Sequence, residues 1–512
     1  MSGEGGVTTS RTWAVLGAIL LGGLFVRAVA IGAQPLWGDE SLSLVVARYS
    51  LNELFFEPVD PTPGLYYAVQ NLWLPAGDAG WVVRMPALVF GTATIGAAFW
   101  LGRAAHSTAA GLWCAALVAV MPPLVDYAQE ARAYALLVLL GTLMLAAVAS
   151  ALSGDTVRRG RLVLAILFAV LAIYTHVTAW LLVGTVGLAA LSMVMRRDAV
   201  PLWQVLAALV VAALLVLPEA LRVLAYARIS QFNWLGQESI GGVIAILAGL
   251  VLPVPVEDGR SGGNLIFTIL ATSVLALAAW LVVQRRLAEK HGSAEWPPVA
   301  LILCLVVTLG FPLALFGAGL VTPMLMPRTL LPFTIGIALA GAIMIVRSGS
   351  TALGVAGLVL IGSQLALFST AREKPDWRGV ATAVEAEGEG PVIVCADWNL
   401  PAFVSAYRTR DAERDMMLTV GRRIVAVGTA EGALERFRTR VWEPRTLRER
   451  GLDREFVVDP AMLDDAVIVS AGCEAPIARW LDEQLPVAAR KTVATFAAGS
   501  DFPEMQVERF RR

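Results

Sequence analysis

The sequence predicts an α-helical polytopic membrane protein of about eleven transmembrane helices, followed by a small C-terminal soluble α/β domain. Three observations carry this. The 512 residues are 57% hydrophobic and 16% charged, against roughly 25% charged in soluble domains. Apolar runs long enough to cross a bilayer recur along the first 370 residues. Beyond them the composition turns polar, and the tail holds about half of all Lys and Arg. Mean hydropathy is +0.68 and the net charge is −1, so no global basic signal points to nucleic acid.

A bilayer core needs an apolar run of roughly 17–25 residues. Such runs lie near 13–33, 85–102, 109–127, 133–152, 161–177, 178–195, 201–218, 264–284, 298–320, 329–346 and 350–370. The first lacks a small-residue cleavage site and reads as a retained helix. Stretches near 64–75 and 240–254 are shorter, flanked by Pro and Gly, and read as interfacial or re-entrant helices.

Basic residues near span ends favour the cytoplasm. With a cytoplasmic N-terminus, Arg11, Arg103, Arg158, Arg159, Arg161, Arg196, Arg197, Arg285, Arg286, Lys290 and Arg347 all fall inside. Residues 34–84, 128–132, 219–263 and 321–328 then fall outside, as does the tail from about 371. The domain plan is therefore 1–370 in the membrane, with a large external loop at 34–84, and 371–512 as an extracytoplasmic α/β domain. In the tail, strands are expected at 391–395, 423–427 and 466–470, each followed by a helix, at 400–407, 431–440 and 476–484. No phosphate-binding glycine loop is present.

Of four cysteines, Cys114 and Cys304 lie in apolar runs and read as packing thiols. Cys395 and Cys473 lie in the tail, where either a disulfide or two buried thiols fits.

The chemistry-bearing residues gather on the external side: Asp39, Glu40, Arg84, Asp126, Gln129, Glu130, Arg132, His176 and Arg328. Ionisable groups near a membrane core cost several kcal/mol, so a converging set calls for a reason. Adjacent carboxylates repel, which raises one pKa and suits Asp39 or Glu40 to proton abstraction. The other reading of Gly38-Asp39-Glu40-Ser41 is a helix N-terminus, where carboxylates are favoured anyway. The turn Tyr127–Tyr134 reads either as a solvated turn with a Glu130–Arg132 pair or as a headgroup-binding cluster. Arg84 and Arg328, at external span starts, either snorkel or grip phosphate through their forked donors. Arg222 and Arg228 read as a solvated face. His176, at a span end, reads as an interfacial residue or a ligand. With three histidines in the chain and none paired with it, a His-based metal site is disfavoured. No cofactor is called for, while carboxylates alone leave a divalent metal open.

Seven segments in order resemble the GT-C glycosyltransferases. They are Trp37-Gly38-Asp39-Glu40; Pro61-Thr62-Pro63-Gly64-Leu65-Tyr66-Tyr67; Val83-Arg84-Met85-Pro86; Gln129-Glu130-Ala131-Arg132-Ala133-Tyr134-Ala135-Leu136; Tyr174-Thr175-His176; Pro327-Arg328-Thr329-Leu330-Leu331-Pro332; and Asp376-Trp377-Arg378. The nearest branch holds the polyprenyl-phosphate-sugar-dependent enzymes: protein O-mannosyltransferases, the aminoarabinose transferase of lipid A, and Rgt-like bacterial transferases. Gly64 stands where that pattern has a second Pro, and the His that often precedes the pair is absent. No motif favours the aminoarabinose branch.

The resemblance implies an external site with Asp39 as the base that deprotonates an acceptor hydroxyl. It implies that Glu40 positions Asp39 or the acceptor, and that Arg84, Arg132 and Arg328 hold the donor phosphate. The expected activity is inverting transfer of a sugar, mannose first and arabinose next, from a polyprenyl-phosphate donor to an envelope glycan or glycolipid at the plasma membrane. A transporter or flippase for lipid-linked sugars is the second reading. A flippase needs cations along a path through the bilayer, whereas here they cluster at one face. A noncatalytic scaffold presenting the tail is the third.

Overall fold

Each apolar run named above is helical over most of its described length; that near 264–284 and the end of that near 240–254 lie outside the described residues. The computed structural model describes residues 4–57, 59–154, 156–196, 200–229, 239–251, 298–371, 374–388, 392–395, 402–403, 405–406, 424–427, 465–472, 479, 482–483, 485–496 and 504–510. They divide between two compact units. One comprises Met1–Val29, Pro61–Tyr66 and Arg84–Thr370, and the other Ala30–Asp60, Tyr67–Val83 and Ala371–Arg512.

The first unit is built of helices. They are α1 (Glu4–Ala28), α5 (Gly80–Ala105), α6 (Thr108–Val120), α7 (Pro122–Asp126), α8 (Tyr134–Leu152), α9 (Arg159–Ile173), α10 (Ala179–Met195), α11 (Leu202–Ile229) and α12 (Ile240–Val251). After the undescribed stretch come α13 (Pro298–Leu305), α14 (Phe311–Gly319), α15 (Pro332–Ser348) and α16 (Thr351–Ala371). The run 298–320 is continuous, with a π-helical turn at Val306–Gly310 between α13 and α14. Among the described residues five helices are long and apolar enough to cross a membrane alone, six counting one bent pair. The protein is a multi-pass membrane protein. The 17-residue α10 and α15 reach about 25 Å, slightly short of the hydrocarbon core.

The bent pair has a sequence cause. The run 109–127 is broken rather than straight: α6 stops at Val120 and the chain turns by 68° before the helix resumes at Pro122. Pro122 and Pro123 cannot donate to the carbonyls four residues back, at Val118 and Ala119. Those two oxygens accept instead from the buried Arg27 of α1, Nη2 at 3.0 Å and Nη1 at 2.9 Å. Proline is tolerated elsewhere when something replaces its missing bond. Pro86 in α5 frees the Val82 carbonyl, which accepts from the Trp73 indole at 2.8 Å. α5 and α6 approach closely: a Cβ on Gly102 would lie 2.7 Å from the Ala110 carbonyl oxygen.

α8 is buried on nearly all sides and forms the centre of this unit's core. α11 is the opposite. Leu206, Leu209, Val210 and Leu214 are exposed along it, as on a lipid-facing span. It does not end at 218 as expected, because Pro218 is accommodated within it.

The second unit contains α2 (Gly38–Val46), α3 (Leu51–Phe56), most of α4 (Gly64–Trp73) and the C-terminal residues. Ser50 and Glu53 form a capping box on α3. The Asn71 amide donates to the Ala47 carbonyl at 2.7 Å and closes α2. In the tail, α17 (Trp377–Ala386) is N-capped by Asp376, whose carboxylate accepts from the Gly379 amide at 3.0 Å.

A five-stranded sheet follows, ordered β2-β1-β3-β5-β4, with β1 at Val392–Cys395, β2 at Ile424–Val427, β3 at Val467–Ala471, β4 at Arg490–Phe496 and β5 at Met505–Phe510. The three expected strands are the parallel ones. Their apolar runs suit strands buried on both faces. β4 and β5 are an addition that the sequence reading missed, and both pair antiparallel. β5 carried a signal: Met505 and Val507 alternate inward with the less buried Gln506 and Glu508. The expected helices at 400–407, 431–440 and 476–484 fall largely or wholly outside the described residues. Trp377, Val380 and Val384 of α17 pack on Val392, Val394 and Val467.

Candidate active site

Asp39 and Glu40 occupy the first turn of α2, in the second unit. Trp37 is the N-cap, and the Glu40 carboxylate reaches back to its amide at 3.4 Å. The helix-terminus reading is therefore correct for Glu40 as local structure. The two carboxylates have different surroundings. Glu40 is fully buried and takes an ion pair from Lys374 Nζ at 3.1 Å. Asp39 is half-buried, and its backbone carbonyl accepts from Ser43 Oγ at 3.0 Å. Adjacent in sequence, the two carboxylates thus differ in burial, and Glu40 is held by a lysine from far along the chain.

The remaining expected residues lie in the first unit. Arg84 is buried on α5. Asp126 closes α7, half-buried. The turn that follows is tight rather than solvated: Tyr127, Glu130 and Arg132 are all buried, and the Arg132 amide donates to the Glu130 carbonyl at 2.7 Å. Gln129 directs its amide to the end of α1, donating to the Arg27 and Val29 carbonyls at 2.9 Å each.

Tyr134 is where several of these residues meet. Arg132 and Arg328 each place the guanidinium carbon 5.9 Å from the centre of its ring. Tyr127 meets it edge-on at 5.3 Å, and the His176 ring lies 5.4 Å away. Arg328 is presented by a 3-10 turn, Pro327–Leu330, fixed by the Thr329 hydroxyl, which accepts from the Met326 amide at 3.0 Å. A narrow cavity beside the tyrosines is lined by Gly91, Leu124, Tyr127, Tyr134 and Leu331.

His176 lies in the turn between α9 and α10, outside both helices. Its Nδ1 accepts from the Thr178 amide and lies 2.8 Å from the Thr178 hydroxyl, which assigns the proton to Nε2. Burial, and then the positive charges of Arg132 and Arg328, push its pKa down to about 3. The imidazole is thus a neutral hydrogen-bond donor beside two guanidinium groups. Two like charges on one aromatic ring, with a neutral donor next to them, suit an anion.

The sequence reading missed Lys374, Arg27 and the central position of Tyr134. Tyr134 lies two residues after Arg132 in the Gln129–Leu136 segment. Nothing local to Lys374 names Glu40 as its partner. Arg222 is not on a solvated face, contrary to the sequence expectation. It is buried and forked onto Glu219, with Nε to Oε2 and Nη2 to Oε1 both at 2.8 Å. A charge that α11 carries into the unit's interior requires a partner of opposite sign. The side chain of Arg228 lies outside those described. Among the described residues no three His, Cys, Asp or Glu side chains are grouped to hold a metal ion.

No family model matches the sequence, and no curated protein matches it. Solved structures do. ArnT from Cupriavidus metallidurans bound to undecaprenyl phosphate aligns at 12% identity over 97% of this chain and 98% of its own, with a TM-score of 0.56. The same protein in the apo state aligns at 12% identity over 98% of each chain, with a TM-score of 0.55. The chain has the GT-C fold. Within this GT-C fold, Asp39 and Glu40 stand at the start of α2, and Arg132, Arg328, His176 and Tyr134 form one cluster in the helical unit.

Proposed function

We propose that the protein is an inverting glycosyltransferase that takes a sugar from a polyprenyl-phosphate donor. The observation that carries this reading is the pair of arginines, Arg132 and Arg328, on the ring of Tyr134 with neutral His176 beside them. The GT-C fold shared with a protein solved with undecaprenyl phosphate supports it.

In this mechanism Arg84, Arg132 and Arg328 hold the donor phosphate, with His176 adding one neutral donor. Asp126, Gln129 and Glu130 shape the turn that carries Arg132. The acceptor hydroxyl attacks the anomeric carbon from the face opposite the phosphate. The carbon–oxygen bond to phosphate breaks, and the electron pair leaves with the polyprenyl phosphate. The arginines stabilise the charge that builds on it. Asp39 takes the proton of the attacking hydroxyl, and Glu40 holds the turn that bears Asp39. One displacement gives inversion and needs one base, unlike the paired carboxylates of retaining hydrolases.

Mannose is the first donor sugar to test and arabinose the second; the acceptor is a glycan or glycolipid of the envelope. Residues 1–370 are assigned the transfer chemistry and 371–512 an extracytoplasmic role. The positive-inside pattern supports a cytoplasmic N-terminus. Cys395 is disulfide-bonded, which supports an oxidising compartment for the tail. Cys473 lies outside the described residues.

The test is transfer from a panel of polyprenyl-phosphate sugars by purified wild type and Asp39→Asn. Transfer by wild type, with loss of turnover but retained donor binding in the variant, is expected. Equal transfer by both removes Asp39 as base. Movement of lipid-linked sugar across vesicles without transfer would establish the transporter reading instead.

A further inference from the structure

We infer that Lys374 is a positioning residue for the turn that bears Asp39, and that the junction Lys374–Arg378 latches that turn in place. The inference rests on the reading of Asp39 as the base.

Glu40 is completely buried, and a buried carboxylate must be paired or lose its charge. Its cation comes from 334 residues away: Lys374 Nζ lies 3.1 Å from Oε2, with the lysine side chain only 10% exposed. The same Oε2 accepts the Trp37 amide, so one oxygen joins Lys374 to the N-cap of α2. Arg378 acts on the other end of the segment. Its Nη1 donates to the Ala33 carbonyl at 3.2 Å and its Nη2 to the Gly32 carbonyl at 3.3 Å. Asp376 between them caps α17, which sets the direction from which Arg378 reaches out.

Two cations four positions apart therefore grip a segment at residues 32–33 and at residue 40. Asp39 lies inside the gripped stretch, directly before the pinned side chain. Lys374 balances the charge of the buried Glu40 carboxylate. Without Lys374 the buried carboxylate must either take up a proton or swing toward water. Swinging outward would carry the backbone of Asp39 with it. Displacement of a reacting group by about 1 Å costs on the order of 100-fold in rate.

The experiment uses full-length reconstituted protein, the polyprenyl-phosphate sugar that wild type transfers, and polyprenyl phosphate as the binding probe. Lys374→Met is expected to lower kcat by about 100-fold, to leave polyprenyl phosphate affinity unchanged, and to speed amide exchange at residues 38–46. Lys374→Arg is expected to restore both rate and protection. Glu40→Gln added to Lys374→Met should cost no more than Lys374→Met alone, since both act through one contact. Wild-type kcat and wild-type exchange in Lys374→Met, or additive losses in the double variant, overturn the proposal. If Lys374→Met fails to accumulate, Arg378→Gln replaces it, and unchanged exchange and kcat there overturn the latch equally. If wild type transfers no sugar while exchange at 38–46 still responds to Lys374→Met, the latch stands and the assigned chemistry falls.

Discussion

Arg27 Nη2 lies 3.0 Å from the carbonyl oxygen of Val118, the acceptor that Pro122 leaves without its helical donor. Nη1 serves Ala119 at 2.9 Å, which Pro123 strands in the same way. A guanidinium fork matches two carbonyls one residue apart, and an ammonium does not. Arg27→Met should therefore destabilise the protein by on the order of 2–4 kcal/mol, the cost of leaving such acceptors buried and unmet. Arg27→Lys should recover part of it. Unfolding in detergent, followed by SDS titration, checks this, and a wild-type midpoint for Arg27→Met would refute it.

Glu219 and Arg222 should behave as a unit. Removing one member of a buried pair leaves a bare charge and costs about 3–5 kcal/mol. Arg222→Met is expected to fall in that range. Glu219→Gln combined with Arg222→Met should lie well above Arg222→Met in stability. Arg222 also reaches the Pro61 carbonyl at 3.4 Å. Additive losses in the double variant would show that the pair does not act as one.

Tyr134 predicts a graded effect on anion binding. Tyr134→Phe keeps the ring face for Arg132 and Arg328, and Tyr134→Leu removes it. Binding of polyprenyl phosphate should survive the first and weaken in the second. Arg132→Gln and Arg328→Gln should each weaken it by roughly 10- to 100-fold, as expected for a charged hydrogen bond. Isothermal titration in detergent reads both. Equal affinity in Tyr134→Phe and Tyr134→Leu would sink the role of the ring.

His176 sets a pH dependence of definite sign. Its pKa is about 3 in the folded protein, below its usual 6.5. Above about pH 6.5 the residue is neutral in both folded and unfolded chains and adds no pH dependence. As pH falls from there towards 3, the unfolded chain takes the proton and the folded one does not, so stability declines. His176→Gln should flatten that decline. In wild type the imidazole should remain neutral at pH 5, readable from its ring nitrogen shifts; a charged ring at pH 5 would contradict the assignment.

The membrane class, most of the described membrane helices and the three parallel strands were legible in the sequence, because hydropathy and periodicity belong to contiguous residues. The candidate site residues stood out in the sequence as well, since ionisable groups at span ends are conspicuous against an apolar background. The direction of each side chain was not. Gln129 looked like a ligand-binding residue of its turn, and its amide is spent on the end of α1. Arg222 looked solvated because α11 was expected to stop at Pro218, and the helix runs on to Ile229.

By itself the sequence determined a polytopic helical protein with a small α/β tail, a pair of carboxylates after the first span, and arginines at the start of later ones. Only the tertiary structure decided that Glu40 belongs to Lys374, that Arg27 repairs the break at Pro122, and that Arg132 and Arg328 share Tyr134 with a neutral histidine. The physical reason is separation along the chain. Helix and strand signals are written within a few turns of one another. The partner of a buried charge is whichever residue the completed fold brings within about 3 Å, and for Glu40 that residue is 334 positions away.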